Sequence, residues 1–79
     1  MTTVEAFEQI ASSLALLDPE KVAALSAPKT MADRVEELIY RKKDQLITSE
    51  ENTELEKYLA LDLLIGLAKA RAKVLLYQS

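Results

Sequence analysis

Residues 48–77 read TSEENTELEKYLALDLLIGLAKARAKVLLY, and no proline interrupts them. Thr48 and Glu51 stand three apart, the spacing of a capping box in which hydroxyl and carboxylate each take an exposed backbone N–H of the first turn. Glu50 and Glu51 sit where the helix dipole favours negative charge, and Lys69, Arg71 and Lys73 fall towards the end that favours positive charge. These signals predict one helix from Ser49 to about Tyr77. At 1.5 Å of rise per residue it is roughly 40 Å long, whereas a compact chain of this size has a radius of gyration of about 12 Å. One protomer can hardly cover it from end to end.

On a wheel of 100° per residue, Glu51, Asp62, Lys69 and Lys73 form a narrow polar strip, and nearly everything else is apolar. One apolar stripe runs Leu59, Leu63, Gly66, Ala70, Tyr77; a second runs Leu61, Leu64, Ile65, Ala68, Ala72, Leu75. A surface helix of a small monomer needs one such stripe. Either both are core, one against each neighbouring helix of the chain, or one is an interface. The larger, closely spaced residues of the Leu64 stripe favour it as internal core. The small residues Gly66 and Ala70 let another backbone approach, so Leu59, Leu63, Gly66, Ala70 and Tyr77 are the candidate assembly face. A glycine merely tolerated at position 66 is the plainer alternative. Arg71 interrupts the apolar arc between Leu64, Leu67 and Leu75. Its stem can pack, but its head needs water or a carboxylate, within the chain or on another.

Ahead of this helix, Val4, Phe7, Ile10, Ala11, Leu14 and Leu17 recur at helical spacing and predict a first helix from about Thr3 to just before Pro19. Asp18 caps a short second helix with Pro19 in its first position, ended by Pro28. A third helix opens at Thr30 with Asp33 as capping partner. It presents Met31, Val35, Leu38 and Ile39 on one stripe and Arg34, Glu36, Glu37, Arg41 and Lys43 to water, and stops near Asp44. The connection Gln45-Leu46-Ile47 is short enough to turn the chain into an antiparallel helical hairpin, with Leu38 opposite Leu55 and Val35 opposite Tyr58. Gln45, just past a helix end, stands where a left-handed residue is common. The expected architecture is all-α: one helical domain over 1–79, with two N-terminal helices, the second short, followed by a long antiparallel helical hairpin.

Chemistry is sparse. With no histidine and no cysteine, the usual general base, the commonest metal ligand and any disulfide are missing. Ser12, Ser13, Ser26, Ser49 and Ser79 have no base to activate them. Glu36, Glu37, Glu50, Glu51 and Glu54 fall on faces expected to be solvated. A single glycine forbids a phosphate-binding loop. No enzyme activity, metal or cofactor is expected. The formal charge is −3, and Arg41, Lys42 and Lys43 lie at the opposite end of the hairpin from Lys69, Arg71 and Lys73. Nucleic acid is therefore a disfavoured partner, and a dimeric nucleic-acid-associated regulator is the second reading. The N-terminus lacks the basic start and apolar run of a signal peptide, and no uncharged segment is long enough for a membrane span. A cytoplasmic protein of bacterial type is expected.

The residues from Thr48 through Leu61, followed by Leu67-Ala68-Lys69-Ala70-Arg71-Ala72, resemble a family of small bacterial helical proteins to which no activity attaches. The resemblance covers Ile47 to Leu75, more loosely back to Arg34. Family members usually carry glycine three residues before the capping threonine, where this chain has Gln45. The resemblance implies a small helical partner protein encoded beside a nuclease or toxin, in the manner of an antitoxin. It carries over no functional residue. Together these readings describe a non-enzymatic protein–protein interaction protein, a homodimer that also takes a separately encoded protein partner.

Overall fold

The structure is a computed structural model and describes residues 1–78. It contains four helices and, among the described residues, no strand: α1 (Thr3–Leu17), α2 (Pro19–Ala23), α3 (Lys29–Lys43) and α4 (Ser49–Gln78). The chain divides into two compact units. One comprises Met1–Ser26 with α4 from Asp62 onward, and the other is Ala27–Leu61.

Local chemistry accounts for most helix ends. The Thr2 hydroxyl accepts from the Glu5 N–H at 3.1 Å to start α1, and the Asp18 carboxylate accepts from the Lys21 N–H at 3.2 Å to start α2 behind Pro19. At α4 both halves of the capping box form, with Glu51 N–H donating to Thr48 Oγ1 and Thr48 N–H to Glu51 Oε1, each at 3.1 Å. The start of α3 departs from expectation. The helix begins at Lys29 behind Pro28, with no side-chain cap. Thr30 thus lies inside the first turn, and Asp33 pairs instead with Lys29, 3.8 Å away. Pro28 itself, with φ of −55° and ψ of 145°, is the extended residue at the helix entry, so the helix starts one residue before the threonine.

The end of α3 is a Schellman turn. Leu46 N–H donates to Arg41 O at 2.8 Å and Gln45 N–H to Lys42 O at 3.2 Å, which satisfies two carbonyls the helix would otherwise leave open. This geometry needs a left-handed residue, and Gln45 takes it with φ of 60°.

In the unit built from both chain ends, the core is a seam of small side chains. Ala11 and Ala15 of α1, Val22 of α2, and Ala68 and Ala72 of α4 are buried together, with Ala23, Leu64, Leu67 and Leu75 packed around them. Alanines four apart on α1 and on α4 suit the shorter end of the interaxial range, about 8 Å. This corrects the expected face of α1. Ala15 joins the core while Val4, Ile10, Leu14 and Leu17 are exposed. The apolar arc of α1 is too wide to be covered on both sides, and its small edge is the one that docks. In the other unit Leu38 and Leu55 are fully buried and Ile39 is exposed.

Candidate interaction surface

From Asp62 onward α4 carries two apolar sides. The core side holds Leu64, Ala68, Ala72 and Leu75, with Ala68 and Ala72 at 2 % and 0 % exposure. Leu61, expected on that stripe, is exposed instead, and Leu67 joins it. Leu63, Gly66, Ala70, Val74 and Tyr77 fall within about 80° of one another on the opposite side of the helix. All five are exposed, Leu63 at 45 % and Tyr77 at 93 %. A Cβ added to Gly66 would meet no atom within 4 Å. The glycine is therefore not required by packing among the described residues, although it is a poor helix former. Of the candidate assembly residues, Leu63, Gly66, Ala70 and Tyr77 share this outer face. Leu59 is also exposed but belongs to the other unit.

Asp62 and Lys73 flank the outer face on one edge. Both are exposed, and among the described residues neither has an ion-pair partner. Arg71 lies on the other edge. It lines an open groove with Glu5, Glu8, Gln9, Ser12 and Ser13 of α1, yet forms no ion pair among the described residues. A second exposed apolar strip runs along α1 through Ile10, Leu14 and Leu17.

Of the acidic residues expected to be solvated, Glu36 and Glu50 are exposed, whereas Glu37, Glu51 and Glu54 are engaged in ion pairs in the unit of residues 27–61. Arg34 Nε and Nη2 donate to Glu54 Oε2 and Oε1 at 2.8 and 3.0 Å. Arg34 Nη1 lies 3.1 Å from Glu37 Oε2, and Arg41 Nη2 lies 3.1 Å from Glu37 Oε1. Arg41 Nη1 and Arg34 Nη2 approach Glu51 Oε2 at 3.0 and 3.7 Å. Arg34, Glu37, Arg41 and Glu51 thus close a ring of alternating charge, with Glu54 attached. The Arg34 hydrogen bonds hold the Glu54 carboxyl below its ordinary range; Arg34 first and then Arg41 do the same for Glu37. Arg34 is in turn held more firmly protonated, chiefly by Glu54. The spacing of Arg34, Glu37 and Arg41 was a visible signal for helix-surface pairs. The reach to Glu51 and Glu54 had none.

This ring removes Arg41 from the basic cluster with Lys42 and Lys43. Among the described residues no group of three His, Cys, Asp or Glu side chains is placed to hold a metal ion, and no helix is long and apolar enough to cross a membrane. No family model, curated protein or solved structure matches the chain. The family pattern and the antitoxin-like role therefore rest on the quoted residues alone.

Proposed function

We propose that this chain is a non-enzymatic interaction protein that self-associates through the outer face of α4. The observation that carries the reading is the exposure of Leu63, Gly66, Ala70, Val74 and Tyr77 on the side of the helix away from its core. An apolar face aligned along one side of a helix is surface that association would remove from water, which supports the reading. In the same reading α3 and α4 form a long antiparallel hairpin. Its support is the order of the ion pairs, since Arg34 meets Glu54 while Arg41 meets Glu51. The surface offered to a separately encoded protein, in an antitoxin-like role, is the exposed strip Ile10, Leu14 and Leu17 of α1.

The test sets Leu63→Glu beside Leu64→Glu, using sedimentation and circular dichroism at tens of micromolar protein. A buried, unpaired carboxylate at Leu63 costs several kcal/mol of association, while the isolated protomer loses little. Leu63→Glu is expected to stay helical and become monomeric, and Leu64→Glu to lose helicity. A wild-type protein that sediments as a monomer would overturn self-association.

A further inference from the structure

We infer that the occupant of the outer face of α4 is a second copy of the chain lying antiparallel, with Asp62 of each protomer against the partner's Lys73. The inference rests on the self-association proposed above and adds its geometry. The outer face is self-complementary about one point. The midpoints of the pairs Asp62 and Lys73, Leu63 and Val74, and Gly66 and Ala70 all fall within about half a residue of Ala68, so one two-fold axis superposes each pair on its reverse. In such an isologous contact residue i meets j while j meets i. Leu63 packs on the partner's Val74, and Gly66 on the partner's Ala70 at the crossing point, where the helices come closest. The open space at the Gly66 Cβ position supplies the room, and suits a glycine that packing among the described residues does not require.

Charge selects the direction. In an antiparallel helix pair each edge of the interface meets the same edge of the partner, whereas in a parallel pair it meets the opposite edge. The edge bearing Asp62 and Lys73 is complementary to its own reversal, and both groups lack partners among the described residues. Antiparallel pairing therefore makes two symmetric ion pairs. A parallel pair would instead set that edge against the one bearing Arg71, so that Lys73 meets like charge and Asp62 meets no cation. The antiparallel pair brings Lys69 beside its own copy, one like pair against two unlike ones.

Two measurements on the full chain test the arrangement, and the absence of native cysteine makes the first clean. Leu63→Cys and Val74→Cys are oxidised separately and as an equal mixture. In the antiparallel pair identical positions lie about 15 Å apart or more along the axis, beyond disulfide reach, so the mixture should cross-link 63 to 74 and neither variant alone should cross-link. Secondly, Asp62→Lys should weaken dimerisation roughly tenfold, as reversal of two exposed ion pairs allows, and Asp62→Lys with Lys73→Asp should restore it. Circular dichroism checks that helicity is unchanged. A dimer in which each cysteine variant cross-links with itself, or in which charge reversal has no effect, overturns the antiparallel arrangement and leaves self-association standing. A wild-type monomer overturns both.

Discussion

Arg34 grips Glu54 with a two-pronged contact, Nε to Oε2 at 2.8 Å and Nη2 to Oε1 at 3.0 Å, across 20 residues of sequence. A planar guanidinium matched to a planar carboxylate fixes direction as well as distance, which lysine cannot do. The pair therefore sets the register of α3 against the first turns of α4. Glu51 ties the same region to the helix start, because its Oε1 accepts from the Thr48 N–H while its Oε2 faces Arg41 and Arg34.

Stability should depend on acid through this contact. Arg34 lowers the folded-state pKa of Glu54 and Glu37 below the ordinary 4.5. The stabilisation is therefore complete above that value and is lost as pH falls through it towards the depressed folded values. Urea midpoints for wild type and Arg34→Ala, followed from pH 7 to pH 3, should differ at neutral pH and converge in acid. A gap that stays constant would show that Arg34 acts through packing alone.

The double role of Glu51 separates two substitutions. Thr48→Ala removes one cap bond and should cost about 1 kcal/mol. Glu51→Ala should cost more, because it removes the reciprocal cap bond and opens the charged ring. Glu51→Gln keeps an acceptor for the Thr48 N–H, so its deficit should shrink as salt screens the lost charge. Denaturation midpoints at low and high salt read the difference.

Gln45→Gly should stabilise the fold by about 1 kcal/mol, since a non-glycine residue is strained in the left-handed region and glycine is not. The side chain of Gln45 makes no hydrogen bond among the described residues that the substitution would lose. A lowered midpoint would mean that the entropy gained by the unfolded chain outweighs the relief of strain.

The two sides of α4 should answer differently to added volume. Ala72 has no exposed surface, and Ala72→Leu should destabilise by about 1–3 kcal/mol through overpacking. Ala70→Leu, on the exposed side, should change protomer stability by less than about 0.5 kcal/mol, and Gly66→Ala should raise it by about 1 kcal/mol. Measuring all three in the Leu63→Glu background keeps association out of the comparison. A severe loss from Ala70→Leu would place that residue inside the protomer core.

Much of this architecture is written in short-range chemistry. Thr48 with Glu51, Asp18 with Pro19 and the left-handed Gln45 each act over a few residues, so the class and three of the four helix starts were legible from the chain, as was the turn after α3. Periodicity also separated the Leu64 side of α4 from the Leu63 side. The same reasoning failed where two local signals competed, as at Thr30 behind Pro28. It failed again on α1, where the apolar arc is too wide for periodicity to name the buried edge. Only the fit of Ala11 and Ala15 against Ala68 and Ala72 decides that edge, because close helix approach selects small side chains over the more hydrophobic Ile10 and Leu14. The ring of Arg34, Glu37, Arg41 and Glu51 was half legible, since Glu37 stands at pairing distance from Arg34 and Arg41 along α3, but Glu51 read on its own helix looks solvated until α3 brings Arg41 and Arg34 to 3.0 and 3.7 Å.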